Sequence, residues 1–397
     1  MNKAERIYQE FLQEKVGVWY ISDGYGAKIM IKAPSSTLKA LIKGCKLELV
    51  FGIDENIFHV GAKIYDDSIH FLAITNVQKD IDEHLSIAKI MNLNEVQIQL
   101  CNELSICQAF GDIVLNEKNK NDVLCLLGNP KRLYSGKIND KLLLSSDNFQ
   151  FSLNLDISIN TDYLKKIETI SIKTKIENIE IVDNRFIGET EVISTDITNS
   201  DEGKLLEKEI FIALKSLFEE DICLSPQIKD NKNISRELTD IFSFSESGIF
   251  LIESKALGVT SVNDERTMAR KVKGLQNQIE KGIKQLVGAS KKIAKNEPIY
   301  TVSGQKIQFN QSLIPYGIIL VSELLPFGEW DEILDMLLKT MSNNKIILHI
   351  MDLNELMQFI GYSNGDKKRF DYFLHKRFEN FVESPSIFQQ TKFIKKP

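Results

Sequence analysis

Arg236-Glu237-Leu238-Thr239-Asp240-Ile241-Phe242-Ser243-Phe244, followed by Glu246-Ser247-Gly248 and then by Ile249-Phe250-Leu251-Ile252-Glu253-Ser254-Lys255, is the stretch that decides the fold. It reads as two short strands joined by a tight turn at Gly248. The first strand opens with an acid, Asp240; the second closes with Glu253 and Lys255. A strand has period two, so Glu253 and Lys255 point to one face. The apolar run Ile249 to Ile252 predicts a strand buried on both sides. Ending such a strand with a carboxylate and an ammonium is costly unless each has a partner. A divalent metal together with a phosphate group would supply one. A lone Glu-x-Lys is common by chance and is ordinarily a solvated ion pair. Four neighbouring features set this one apart: an acid at hairpin distance, apolar strands, a preceding amphipathic helix with its own acid, and a following basic helix.

Outward on the N-terminal side, Lys204–Phe218 predicts an amphipathic helix with Leu206, Ile210, Leu214 and Leu217/Phe218 on one face. It carries Glu207 and Glu209. On the C-terminal side a loop over Gly258–Asn263 leads into a long helix from about Asp264, a plausible N-cap, to Lys295. Met268, Val272, Leu275, Ile279, Ile283, Leu286 and Ile293 form its buried stripe. Its remaining surface carries Arg266, Arg270, Lys271, Lys273, Lys281, Lys284, Lys291, Lys292 and Lys295. Gln278, Lys281 and Gln285 fall on one side of it, three and four residues apart.

Asp240, twelve intervening residues and then Glu253-Ser254-Lys255 resemble the signature of the PD-(D/E)XK nuclease superfamily, nearest its nuclease-related, restriction-endonuclease-like branch. The resemblance covers roughly residues 200–300 well and the rest of the C-terminal half loosely. Thr239 stands where the family's name has proline. The resemblance implies a metal-dependent nuclease hydrolysing phosphodiester bonds in nucleic acid, DNA above RNA, in a setting such as bacterial restriction or anti-phage defence. It implies Mg²⁺ or Mn²⁺ held by Asp240, Glu253 and Glu207, with the backbone carbonyl of Ser254 as a further ligand. In related nucleases a glutamate lies one turn after a glycine, with apolar residues three and seven positions later; Gly203, Glu207, Ile210 and Leu214 match, which favours Glu207 over Glu209. Lys255 would position or deprotonate the attacking water and stabilise the transition state. Gln278, with Gln285 as runner-up, would face the site. Arg270, Lys271, Lys273, Lys281 and Lys284 would track the phosphate backbone. The alternative is a catalytically silent nuclease-fold protein that binds nucleic acid or serves as an assembly subunit. Such proteins usually lack the hairpin acid or the lysine, and both are present here. Cutting both strands takes two sites, so a homodimer or a partner protein engaged through the N-terminal half is a further expectation.

The chain has 397 residues, long enough for two or three domains. With 43% hydrophobic and 26% charged residues it has the composition of a globular protein, and no apolar run approaches the roughly 18 residues that span a bilayer. The first residues lack the apolar core of a signal peptide. The five cysteines form no CxxC pair, which disfavours zinc and predicts reduced thiols in a cytoplasmic protein. The net charge of −6 argues weakly against a general nucleic-acid binder. It resides wholly in the first 200 residues; residues 201–397 hold 27 basic and 27 acidic side chains. A local basic surface suffices to steer phosphates.

Taken in order, the N-terminal half predicts a helix over 4–14, strands at Val16–Ile21, Ala27–Ile31, Leu47–Phe51, Ile57–Ile64 and Ser68–Ile74, a helix at Asp80–Met91, strands at Glu95–Leu100 and Ser105–Phe110, and a helix over 119–127 stopped by Gly128-Asn129-Pro130. Residues 133–198 alternate apolar and polar, as in Phe149-Gln150-Phe151-Ser152-Leu153-Asn154-Leu155. They are expected to be antiparallel strands with a short helix at Asp162–Lys166. No motif in this half names a chemistry; His59, His70 and His84 read as core or surface histidines, and Trp19, Tyr20 and Phe51 as packing residues. The polar segment Thr195–Gly203 marks a boundary between a β-rich α+β domain at 1–197, divisible near 130, and a nuclease-like domain at 198–397. The latter continues with strands at Tyr316–Ser322 and Lys345–Met351 and helices at Trp330–Met341, from Asp352, and at Lys367–Phe381. The expected fold is α/β: a restriction-endonuclease-like mixed sheet flanked by helices.

Overall fold

The computed structural model describes residues 3–23, 26–66, 71–153, 162–187, 192–198, 202–229, 235–255, 268–321, 324, 328–389 and 391. Of these, the residues within Met1–Asn184 and Ser194–Thr198 form one compact unit. Those within Arg185–Ile193, Asn199–Thr260 and Arg266–Pro397 form a second.

The first unit runs α1 (Lys3–Gln13), β1 (Gly17–Asp23), β2 (Gly26–Lys32), α2 (Ser35–Ile42), β3 (Leu47–Asp54), β4 (Ile57–Ile64), β5 (Leu72–Gln78), α3 (Ile81–Met91), β6 (Glu95–Cys101), β7 (Cys107–Val114), α4 (Glu117–Leu127), α5 (Asp140–Ser152), β8 (Glu168–Thr174) and β9 (Glu177–Ile181). One sheet has the order β1-β2-β6-β7-β9 and the other β5-β4-β3-β8. Their inner faces share one core, with Val18, Ile29, Ile31 and Ile98 from the first sheet and Leu49, Phe51, Phe58 and Val60 from the second. Trp19, Tyr20 and Phe51 are all buried packing residues. The strands β10 (Asn184–Ile187) and β11 (Val192–Thr195) make a two-stranded sheet.

Two expectations fail here. Residues 140–152 are helical, not stranded: α5 is capped by Asn139, whose side chain accepts from Leu142 N–H. Its buried face is Leu142, Ser145, Asn148 and Phe149, and half of that face is polar. Ser145 Oγ lies 2.7 Å from His59 Nε2, and Asn148 donates to Asp54 Oδ2 at 3.0 Å. A helix whose inward face is satisfied by hydrogen bonds leaves no apolar stripe, so the local alternation misleads. The helix expected at 162–166 does not form either. That segment is latched onto α5 by bonds from Lys165 N–H to Asn148 Oδ1 (3.0 Å) and from Ile167 N–H to Ser152 Oγ (2.8 Å). Conversely, α2 forms where no element was expected, its first N–H and hydroxyl at Ser35 both bound 2.9 Å from Glu103 Oε2.

The second unit runs α6 (Glu202–Phe218), β12 (Ile222–Leu224), β13 (Gln227–Lys229), β14 (Ser235–Glu237), β15 (Ile241–Phe244), β16 (Ile249–Lys255), α7 (Met268–Ala294), β17 (Ile299–Tyr300), β18 (Pro315–Val321), α8 (Asp331–Asn343), β19 (Ile347–Asp352), α9 (Leu353–Ser363) and α10 (Lys367–Glu383). Its main sheet has the order β12-β15-β16-β18-β19. β12, β15 and β16 pair antiparallel, and β16, β18 and β19 pair parallel. The predicted hairpin is present, with Ile241 opposite Ile252 and Phe244 opposite Ile249. Alternation along β16 sends Ile249 and Leu251 into a core shared with Val272, Leu275, Ile279 and Ile283 of α7. Phe250, on the other face, packs against Phe218 of α6 and Phe370 of α10, ring centroids 5.2 and 5.5 Å away. A mixed sheet with helices on both faces places this unit in the α/β class. Asp264, the expected cap of α7, lies outside the described residues.

Candidate active site

Every residue of β16 is buried, Glu253 (1% exposed) and Lys255 (8%) included. The hairpin ladder ends at Ile241 opposite Ile252, and side chains take over beyond it. Thr239 Oγ1 donates to Ile252 O at 2.8 Å, and Asp240 Oδ2 accepts from Ser254 N–H (2.7 Å) and Ser254 Oγ (3.1 Å). Asp240 O in turn accepts from Ser225 N–H at 2.7 Å. These bonds bend the chain before β15 and fix the Asp240 carboxylate against the end of β16. Lys255 Nζ lies 2.7 Å from Glu253 Oε2 and 3.9 Å from Asp240 Oδ2. The three residues read from the sequence therefore converge on one point.

The electrostatics there are strained towards a cation. Burial, and then the nearby charge of Asp240, raise the Glu253 carboxyl above its ordinary value, against the opposing pull of Lys255. Asp240 and Glu253 offer hard carboxylate oxygens, the donors Mg²⁺ or Mn²⁺ takes while keeping several waters. Among the described residues no group of three or more His, Cys, Asp or Glu side chains is gathered to hold a metal. The protein thus shows two of the implied carboxylates together, with Ser254 next to Glu253 in sequence and bonded to Asp240.

The other expected residues are placed as follows. α7 crosses the site at Gly282, where a β-carbon would stand 3.4 Å from Lys255 Cε. Gln278 lies one turn earlier on the same flank and is exposed, as are Lys281 and Gln285. Lys273 and Lys284 fall on the far side of the helix, and Lys284 is paired with Glu280 at 2.5 Å. Arg270 and Lys271 have side chains outside the described set. Glu207 is half-buried on α6, which covers the sheet face opposite Glu253 and Lys255; Glu209 is buried on the same helix.

One acid escaped the sequence reading. Glu237 is exposed, yet desolvation by its surroundings and the charge of Asp240 raise its carboxyl, while a hydrogen bond with Ser225 and the charge of Lys255 oppose this. Glu237 ends β14, three residues before Asp240. The only local signal was its closeness to Asp240 in sequence.

No family model matches the chain, no curated protein matches its sequence, and no solved structure matches its fold.

Proposed function

We propose that this protein is a metal-dependent nuclease of the PD-(D/E)XK type, with a restriction-endonuclease-like fold in its second unit and DNA as its substrate. One observation carries the reading: a fully buried strand ends in Glu253 and Lys255, with Asp240 held against that end by two bonds from Ser254. The element order supports it, with a helix before the hairpin, the hairpin itself, a long helix and then a parallel strand. Asp240 and Glu253 are the residues that would hold Mg²⁺ or Mn²⁺, with the Ser254 carbonyl as a further candidate; Glu207, on the helix over the opposite sheet face, is not brought to them. When bound, the metal would polarise the phosphoryl oxygens and supply a more acidic water. Lys255, drawn to 2.7 Å from Glu253, keeps its ammonium beside the two carboxylates, where it can orient a water and neutralise charge building on phosphorus. Gln278 and Lys281 on the exposed flank of α7 border the same end of the sheet and face passing phosphates. Lys273 and Lys284, on the far side, take no part in that contact.

The test is cleavage of supercoiled plasmid, linear duplex and single-stranded DNA by the full chain, with Mg²⁺, Mn²⁺ or EDTA. Wild type should cut only with metal, and Lys255→Ala and Asp240→Ala should each be inactive while keeping their far-ultraviolet circular dichroism. Cutting by either variant overturns the site. Metal binding without cutting by wild type overturns the enzyme in favour of a silent nucleic-acid-binding subunit.

A further inference from the structure

The first unit, to which the nuclease reading gives no chemistry, contains a second concentrated group of reactive side chains. Lys32, Cys101 and Cys107 are register partners across three adjacent strands, Lys32 opposite Cys101 on β2 and β6, and Cys101 opposite Cys107 on β6 and β7. Register partners project to the same face of a sheet. The two cysteines bracket a tight turn. It is closed by the bond from Asn102 N–H to Ile106 O (2.9 Å), and Asn102 Oδ1 accepts from Leu104 N–H (3.1 Å) and Ile106 N–H (3.0 Å). The Cys107 thiol also donates to Ala109 O at 3.7 Å. The register shifts between Leu100 and Cys101, so that Cys107 and not Gln108 stands opposite Cys101, and partners across an antiparallel pair fall within the Cα range of about 4.4–6.8 Å that a disulfide spans.

Charge and access differ between the two sulfurs. Cys101 is fully buried beside Trp19, Met30 and Phe11, whereas Cys107 is only half-buried at the edge of that cluster. The Lys32 ammonium is itself fully buried, donating to Phe11 O (2.9 Å) and Ser105 Oγ (2.8 Å). Lys28 donates to Gln99 Oε1 at 3.1 Å. The bond from Cys101, and after it those from Gln99 and the Ala109 backbone, lower the Cys107 thiol below its ordinary value. By contrast burial pushes Cys45 up to about 12 and Cys223 up to about 11.

We propose that Cys101 and Cys107 are a redox-active dithiol that a hydroperoxide oxidises to a cross-strand disulfide, with Cys107 as the attacking sulfur and Cys101 as the resolving one. The Cys107 thiolate attacks the terminal oxygen of the hydroperoxide. An S–O bond forms, the O–O bond breaks, and the leaving oxygen takes the thiol's proton to depart as an alcohol, or as water when the oxidant is hydrogen peroxide. Cys101 sulfur then attacks Cys107 sulfur; the S–S bond forms, the S–O bond breaks, and hydroxide leaves with the Cys101 proton as a second water. Two thiols are oxidised and one peroxide is reduced.

The experiment treats the reduced full chain with hydrogen peroxide, counts free thiols and maps linked peptides by mass spectrometry without reduction. The free thiols should fall from five to three, with Cys101 linked to Cys107, and dithiothreitol should restore them. A variant carrying Cys45→Ser, Cys125→Ser and Cys223→Ser should behave identically at the pair. Cys101→Ala should leave Cys107 as a sulfenic acid that dimedone captures. Peroxide that oxidises exposed Cys125 while the pair stays reduced overturns the proposal, as does thiol loss without the 101–107 link. Should Cys101→Ala fail to fold, the wild-type peptide map decides alone.

Discussion

Removing one half of the Glu253–Lys255 pair should destabilise the second unit far more than removing both. The two side chains are 1% and 9% exposed and their charged atoms lie 2.7 Å apart. Glu253→Leu leaves an ammonium in that environment with Asp240 Oδ2, 3.9 Å away, as its remaining partner. Stranding a buried charge in this way costs about 3–5 kcal/mol. Glu253→Leu/Lys255→Met removes both charges at similar volume, and such apolar replacements are neutral or stabilising by about 1–4 kcal/mol. The double variant should therefore sit at least about 3 kcal/mol above Glu253→Leu in stability. Urea unfolding in EDTA measures this. Trp330 lies in the core that α7 and β16 share, so a Trp19→Phe background leaves a single tryptophan reporting on this unit. A double variant no more stable than Glu253→Leu would refute the argument, because the ammonium would then not be relying on its carboxylate.

The same site has a pH signature. Glu253's folded-state carboxyl is raised above its unfolded value; its stabilising contribution is present below the ordinary carboxylate range and is lost as pH rises through the raised value. In EDTA, wild type should therefore lose stability relative to Glu253→Gln as pH climbs from about 4 towards neutrality, and parallel stability curves for the two proteins would contradict this. At Gly282 a β-carbon would meet Ile319 Cγ1 and Cγ2 and Lys255 Cε at 3.4 Å. Gly282→Ala should thus fold and cut as wild type does, whereas Gly282→Leu should cost about 1–3 kcal/mol by overpacking and lower cleavage by displacing Lys255; unchanged cleavage in the leucine variant would show that this wall does not position the lysine. Arg377→Ala should destabilise by about 3–5 kcal/mol in chemical denaturation, because it strands Glu355, which is bound at 2.9 and 3.1 Å, and Ile350 O at 2.7 Å. A loss below about 1 kcal/mol would mean that water replaces the guanidinium.

The hairpin was legible because its determinants are local: an apolar run, a turn residue and period-two placement of Glu253 and Lys255. The same holds for α7, whose stripe from Val272 to Ile293 is buried as its 3.6-residue spacing predicts, and for β18 and β19, which are short apolar runs each followed by a helix. α5 was illegible because its buried face was completed from elsewhere, by His59 and Asp54, which lie 86 and 94 residues from the Ser145 and Asn148 they bind. Glu237 escaped for a related reason, since the Ser225 and Lys255 that act on its carboxyl belong to distant parts of the chain. On α7 the basic residues divide between two flanks, which a count of lysines does not reveal: Lys281 shares the flank of Gly282, and Lys273 and Lys284 fall on the far side.

Two buried ion pairs in this unit show why the one at the strand end reads as a site. Arg377 and Glu355 form a bidentate pair whose guanidinium also reaches Ile350 O and His349 Nδ1, with Thr391 Oγ1 on the carboxylate. That pair joins α9 and α10 to β19, and its many bonds give it an architectural role. Glu253 and Lys255 are two residues apart on one strand, already held there by backbone pairing to β18, and Lys255 also reaches Asp240 Oδ2 at 3.9 Å. An apolar pair in their place would keep the same contacts with α7 at no cost in desolvated charge. Stability therefore does not account for them. What they add is a carboxylate with raised proton affinity beside an ammonium, with Asp240 fixed next to both, and that arrangement fits a cation and a phosphate better than it fits a core.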